Sequence, residues 1–342
     1  METVLIDGSR GEGGGQILRT SLTLSCITGR PLRIENIRAA RRNPGLAKQH
    51  LSCVRAACEI SGGRCRGDSL GSSVLDFQPG PVRSGDYLFD IGSAGSASLV
   101  IQTVLPALFL APGPSCVTVT GGTHNPMAPP FDFLSETFLP AISTAGFRAE
   151  CDLVKHGFFP AGGGKMTFTI QPRQEQSPGT IDLCESSGRP EIHGRIYTAR
   201  LPAHIARRQE DLLRNSGLDI RDVERIDVAD SNGPGNCAMI RIMRGGRTTV
   251  FTAFGERGKP SEKVVDEVVR LAADFTQSGA AVDRFLADQL LVYMAVSRGG
   301  ACTTNEISTH LLTNMDVIKA FLPVEFRVDQ KGRLYRVSCQ SA

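Results

Sequence analysis

The run Gly11-Glu12-Gly13-Gly14-Gly15-Gln16-Ile17-Leu18-Arg19 puts a cluster of glycines directly after an extended segment, at the opening of a helical pattern. Glycines at such a junction let backbone N–H groups converge on an anion, and a helix N-terminus adds partial positive charge. The spacing is neither that of a Walker A loop nor that of the dinucleotide fingerprint, and a tight turn with no ligand is the competing reading. Glu12 bears on the choice. A carboxylate in a phosphate cradle is repulsive unless it holds a divalent cation such as magnesium or manganese; otherwise it is a first-turn acid serving the helix dipole.

A second cluster surrounds the turn Asn43-Pro44-Gly45: Arg38, Arg41 and Arg42 before it, Lys48, Gln49 and His50 after it. Guanidinium groups bind phosphate oxygens in pairs, and together with Arg19 these side chains favour phosphate binding over a merely solvated face. A third signal is His310-Leu311-Leu312-Thr313-Asn314-Met315-Asp316. Thr313 with Asp316 reads as a capping box, which places His310 just before a helix N-terminus. Imidazole near that positive end stays neutral, as a nucleophile requires, although a solitary histidine is commonly a packed core residue. Two lesser features are the loop Gly121-Gly122-Thr123-His124-Asn125-Pro126 with Pro129-Pro130, and Arg284 with Asp288, four apart and expected as a surface ion pair.

These groups need elements to hold them. Periodicity predicts strands over 3–7, 32–37, 73–77, 87–91, 117–120, 148–153 and 165–170, and helices over 15–26, 45–60, 96–110 and 132–145. Strand and helix recur at intervals of about 60 to 80 residues, as in a duplicated or triplicated α+β unit. A polar, Pro- and Gly-containing stretch from Arg173 to Pro190 marks an exposed connection. From Ile192 to about Ser278 follow a strand, a helix over 206–215, strands over 223–228, 238–243 and 248–254, and a helix over 262–276: a small α/β unit inserted in the larger one. Helices over 281–296 and 317–321 and a hairpin over 324–328 and 334–338 close the chain.

The 342 residues are 41% hydrophobic and 21% charged, the composition of a globular protein of about two domains and not of a disordered or fibrous chain. The net charge of +3 conceals an asymmetry: residues 1–66 hold 11 basic and 5 acidic side chains, +6, against −3 for the remainder. Met1-Glu2-Thr3-Val4 lacks the start of a secretory signal, and the most apolar stretch, Leu99 to Ala111, is broken by Gln102 and Pro106, so no membrane insertion is expected. Ten cysteines without a Cys-x-x-Cys pair fit a reduced, cytoplasmic setting. His50, Cys53 and Cys58 are read as groups on one helix face in preference to a zinc site.

Taken together, the glycine run, the stretch Arg38 to His50, Gly121 to Pro126, His156-Gly157-Phe158-Phe159-Pro160-Ala161-Gly162-Gly163-Gly164, Phe285-Leu286-Ala287-Asp288-Gln289 and His310-Leu311-Leu312-Thr313-Asn314 resemble the RNA 3'-terminal phosphate cyclase family, in order and over essentially the whole chain. The resemblance implies an α+β fold. A large domain of three repeated α/β units, each a sheet packed on two helices, would span 1–184 plus 280–342, and a smaller thioredoxin-like insert 185–279. It implies ATP as co-substrate, a divalent metal, and an RNA with a 3'-phosphate end as partner. His310 matches the family's nucleophile, which becomes a covalent His-AMP; AMP passes to the RNA 3'-phosphate and the 2'-OH displaces it to give a 2',3'-cyclic phosphate. By the same resemblance Glu12 is a metal contact, and Arg19, Arg38, Arg41, Gln49 and His50 surround nucleotide and RNA phosphates. Gln102, Pro129, Phe251, Asp288 and Gln289 form the nucleotide pocket, with Phe251 the candidate to stack on adenine. Two alternatives are a non-catalytic cyclase-like ribosome assembly factor, against which His310 argues, and an enolpyruvyl transferase, for which the chain is short.

Overall fold

The computed structural model describes residues 2–174 and 179–341. It begins with β1 (Val4–Asp7), α1 (Gly15–Thr28), β2 (Leu32–Glu35), α2 (Lys48–Ser61), β3 (Arg64–Arg66) and β4 (Leu75–Gln78), whose strands lie in the order β1-β2-β4-β3. β1 and β2 are parallel and the other pairs antiparallel. A parallel pair needs a crossover, which α1 supplies. Gly29 (φ 68°) and Gly62 (φ 58°) end α1 and α2 in the left-handed conformation that glycine adopts without strain.

The same order recurs. β5 (Asp86–Asp90), α3 (Ala97–Leu108), β6 (Ser115–Gly121), a π-helical segment (Phe133–Phe138), α4 (Leu139–Ser143), β7 (Ala149–Lys155) and β8 (Gly164–Ile170) give the sheet β5-β6-β8-β7, again with its first two strands parallel. A third sheet starts at β9 (Ile181–Leu183). The chain then builds a sheet elsewhere from β10 (Glu191–Ala199), α5 (Ala203–Arg214), β11 (Ile220–Asp227), β12 (Gly235–Arg244), β13 (Arg247–Phe254) and α6 (Ser261–Ser278), in the order β11-β10-β12-β13. It returns through α7 (Arg284–Val296), β14 (Gly300–Thr304), α8 (Thr309–Phe321), β15 (Val324–Lys331) and β16 (Leu334–Ser341) to complete β15-β16-β14-β9, with β9 parallel to β14. In chain order all three sheets read first, second, fourth, third. The molecule is mixed α and β throughout, as an α+β fold requires.

Alternation along β6 and β8 sends Val117, Val119, Met166, Phe168 and Ile170 inward, where they are buried. The helices of the three units meet one another, α1 against α2, α3 and α8, and α7 against α8. Leu18, Leu22, Val100, Leu290 and Leu311 belong to this shared core. Ile196, Ile240, Phe251, Val268 and Phe275 make a separate core between the β10–β13 sheet and its helices. No helix among the described residues is long and apolar enough to cross a membrane.

Several expectations are corrected. The helix expected over 132–145 is a π-helical segment followed by a short α-helix, because Pro140 has no N–H for the carbonyl of Glu136 and the ladder widens, with Leu139 N–H bonded to Leu134 O. The helix expected over 317–321 begins eight residues earlier, at Thr309. Its cap is Ser308, whose Oγ accepts from Leu311 N at 3.0 Å, so Thr313 lies inside the helix and His310 in its first turn, not before it. The second helix begins at Lys48, not Gly45, whose φ is 79°. Strands β3, β9 and β14 were not foreseen; β9 lies within the stretch read as a connection, of which residues 175–178 fall outside the described residues. Arg284 pairs with Glu306 at 2.7 Å and not with Asp288.

Candidate active site

A cleft of about 700 Å³ opens between α1, α3, α7 and α8 on one side and β13 with α6 on the other. Of the residues proposed for chemistry, Arg19, Gln102, Pro129, Phe251, Asp288, Gln289 and His310 line it. Their convergence follows from the packing. α1 and α8 lie side by side, which sets the first turn of α8 against the glycine run, and Thr313 Oγ1 accepts from Glu12 N at 3.0 Å across that seam.

His310 is half exposed, and its Nδ1 lies 2.7 Å from Gln16 Oε1 and 3.7 Å from Glu12 Oε2. Gln16 Nε2 in turn donates to both carboxylate oxygens of Asp288, at 2.7 and 2.8 Å. Burial pushes the Asp288 carboxyl up to about 6, opposed by Gln16, His310, Arg19 and Asn314. The Glu12 side chain is buried: its Oε1 accepts from Gln16 N at 3.2 Å, which serves the α1 N-terminus, and its Oε2 meets Arg41 Nη2 at 2.7 Å.

Arg38, Arg41, Gln49 and His50 stand beside the cleft, at the N-terminal ends of α1 and α2. The glycines make this approach possible. A Cβ on Gly14 would fall 2.1 Å from Glu12 Oε2, and one on Gly15 2.2 Å from His50 Nε2. Burial, then Arg19, Arg38 and Arg41, push the His50 imidazole down to about 3, so it is neutral among three cations. Its Nδ1 is buried without a hydrogen-bond partner among the described residues. Arg38 donates to Gly45 O at 2.7 Å, and burial and Arg41 lower its own pKa. Burial likewise lowers that of Arg19. Guanidinium groups kept charged against burial, around a neutral imidazole and a helix N-terminus, are the chemistry of a polyanion site.

Gln49 Oε1 accepts from Ser96 N at 2.7 Å, which fixes the orientation of its amide. Gln102 Nε2 donates to Gln289 Oε1 across the cleft floor. Phe251 is only 4% exposed and packs on Phe275, with ring centroids 5.5 Å apart, so one edge borders the cleft while the ring belongs to the smaller core. Residue type and spacing alone mark no role for Gln16 or Met127 and do not reveal the buried network around Asp132. Gln16 lay within the quoted glycine run, but its partners are 272 and 294 positions away. Met127, 93% exposed with φ 63°, stands at the cleft between flanking prolines.

Asp132 holds the smaller sheet against the rest. It accepts from Tyr197 OH at 2.7 Å and Arg195 Nη1 at 2.9 Å, and its second oxygen lies 2.8 Å from His124 Nε2. Burial alone would raise its pKa, but His124, Tyr197 and Arg195 hold the carboxyl well below the usual range. The Gly121–Pro126 loop is therefore part of the junction that keeps the cleft in shape.

A model of the RNA 3'-terminal phosphate cyclase family matches residues 10–328. The chain is 45% identical over 339 residues to the RNA 3'-terminal phosphate cyclase of Koribacter versatilis, covering 99% of this chain and 95% of that one. It is 46% identical over 325 residues to the protein of that name from Ralstonia nicotianae, covering 94% and 92%. Among solved structures, EPSP synthase from Acinetobacter baumannii aligns with 96% of this chain and 65% of its own at 10% identity, with a TM-score of 0.34.

Proposed function

Because this chain belongs to the RNA 3'-terminal phosphate cyclase family, a family of enzymes, we propose that it converts an RNA 3'-phosphate to a 2',3'-cyclic phosphate at the expense of ATP, through a covalent adenylate on His310. A terminal phosphate monoester has no good leaving group. Adenylylation supplies one: a His310 nitrogen attacks the α-phosphorus of ATP, the bond to the β-phosphate oxygen breaks and pyrophosphate departs. An oxygen of the RNA 3'-phosphate then takes the AMP from nitrogen, giving RNA(3')pp(5')A. Attack of the adjacent 2'-OH on the 3'-phosphorus releases AMP. Each step is phosphoryl or nucleotidyl transfer, for which positioning and charge neutralisation are the main demands on the protein.

The observation that carries this reading is the placement of a half-exposed imidazole, His310, in a helix first turn at the mouth of the cleft, its Nδ1 3.7 Å from the Glu12 oxygen that Arg41 holds. Arg19, Arg38, Arg41, Gln49 and His50 are the proposed contacts to nucleotide and RNA phosphates, Gln49 through its amide NH2 because its Oε1 accepts from Ser96 N. Gln102, Pro129, Phe251, Asp288 and Gln289 are the proposed nucleotide pocket. Among the described residues no group of three or more His, Cys, Asp or Glu side chains could hold a metal ion. One carboxylate, Glu12, fits a magnesium or manganese ion that takes its remaining ligands from phosphates and water. Such an ion supplies further neutralisation of the polyphosphate, and Arg41 would then release Glu12 and turn to a phosphate oxygen.

We also propose the organisation 1–184 plus 280–342 as the large domain and 185–279 as a thioredoxin-like insert. The pairing of β9 with β14 across the intervening sheet, and the separate smaller core, support it. An RNA substrate and ten free cysteines support a cytoplasmic setting. Mass spectrometry of the protein after incubation with ATP and manganese, with the modified peptide located, tests the reading: AMP is expected on the peptide containing His310 and absent from His310→Ala. Adduct formation by His310→Ala would overturn the assignment.

A further inference from the structure

We propose that Gln16, oriented by Asp288, is a positioning residue that holds His310 in the tautomer with the proton on Nδ1 and the lone pair on Nε2. This deepens the reading of His310 as nucleophile and rests on it for its catalytic meaning.

The direction of each hydrogen bond follows from chemistry. An ionised carboxylate only accepts, so the Gln16 amide, with two contacts of 2.7 and 2.8 Å to Asp288, must present its NH2 there. Its carbonyl oxygen is then the atom that faces His310 Nδ1 at 2.7 Å, and a carbonyl only accepts. The proton between them therefore sits on Nδ1. Glu12 Oε2, at 3.7 Å, is beyond hydrogen-bond distance and does not compete. Among the described residues no protein group bonds to His310 Nε2, and His310 lines the cleft.

Asp288 is itself held. Asn314 Nδ2 donates to its carbonyl at 3.1 Å and to its carboxylate at 3.3 Å, and Asn314 Oδ1 accepts from Thr20 OH at 2.7 Å. Asp288 joins α7, Asn314 joins α8 and Gln16 with Thr20 joins α1, so three helices from two units fix one amide. An orienting acceptor on the far ring nitrogen is how proteins select an imidazole tautomer.

The arrangement also suits the reaction. When Nε2 forms its bond to phosphorus, the Nδ1 proton stays in place and the ring becomes a phosphoimidazolium cation. Gln16 Oε1 stabilises that charge, with the Asp288 carboxylate behind it, and no base has to remove a proton. In the reverse sense the P–N electron pair returns to Nε2 as AMP leaves.

The test reads the tautomer directly. Protein labelled with nitrogen-15 at its six histidines, at neutral pH and without ATP, gives long-range proton–nitrogen correlations whose pattern differs between the two tautomers; His310 is assigned by its loss in His310→Ala. Wild type is expected to show the Nδ1–H pattern. Gln16→Met, of similar volume but without an acceptor, and Asp288→Asn, which frees the amide to rotate, are expected to shift His310 toward Nε2–H. Gln16→Met should also slow adenylate formation by at least about tenfold with the KM for ATP little changed. A wild-type Nε2–H pattern, or an unchanged pattern in folded Gln16→Met, would overturn the proposal; the wild-type spectrum decides even if a variant fails to fold. Absence of AMP from wild-type His310 would instead sink the nucleophile reading, with the spectra still judging Gln16.

Discussion

Arg41 Nη2 lies 2.7 Å from Glu12 Oε2, which joins a carboxylate 4% exposed to a guanidinium 41% exposed. The anion is fixed at the α1 N-terminus and the cation is free to turn outward, so the pair can open toward a phosphate without disturbing the core. Arg41→Ala is expected to slow adenylate formation by about 10²-fold, as loss of one charge-stabilising donor does elsewhere. Its cost in stability should be about 1–2 kcal/mol, between an exposed pair and a buried one. Rapid-quench adenylylation and urea unfolding measure the two; a large stability loss with unchanged chemistry would mark the pair as structural only.

His50 gives a signed pH prediction. Its imidazole is pushed down to about 3 by burial and by Arg19, Arg38 and Arg41. The unfolded chain therefore binds a proton there below about 6.5 while the folded chain does not, and the stability contribution present above that pH is lost as pH falls toward 3. Relative to His50→Gln, wild type should lose about 2 kcal/mol between pH 7 and pH 5. Urea unfolding of both proteins at the two pH values checks it, and a pH-independent difference would refute a neutral buried His50.

Gly15 is needed for what it lacks. A Cβ there would lie 2.2 Å from His50 Nε2, and Arg19 Nη1 is 3.0 Å away. Gly15→Ala is expected to displace His50, reduce adenylylation by at least about tenfold and leave helix content intact, since alanine suits a first helical turn. Circular dichroism alongside a single-turnover assay separates the effects.

Asp132 tests the junction. Removing it leaves Arg195, only 17% exposed at its side chain, with a broken set of partners. Asp132→Ala should cost about 3–5 kcal/mol, whereas Glu224→Ala, at the exposed side of the same arginine, should cost under about 1 kcal/mol. Denaturant titration of both variants makes the comparison, and equal costs would contradict a desolvated network.

Much of the fold was legible because side-chain periodicity is local. β6 and β8 alternate inward and outward side chains with a period of two, and apolar-rich runs mark α1 and α3. The failures also have local causes that only context reveals. Pro140 widened a helix that its apolar pattern predicted as regular. Thr313 looked like a cap until Ser308 took that role three residues before Leu311. β9 is three residues in a polar stretch, and it is a strand because β14, more than a hundred residues later in the chain, offers it an edge.

Residue types and their order along the chain set the chemistry available: a glycine run able to admit close neighbours, a basic excess confined to the first 66 residues, and a histidine in a setting that resembles a known nucleophile. Which of these groups share a site, and in what state, follows from the packing of the folded chain. Gln16 and His310 are 294 residues apart, and the amide's orientation is set by Asp288 from yet another helix. The physical reason is that hydrogen-bond polarity and desolvation depend on neighbours in space, which periodicity and propensity along the chain do not encode.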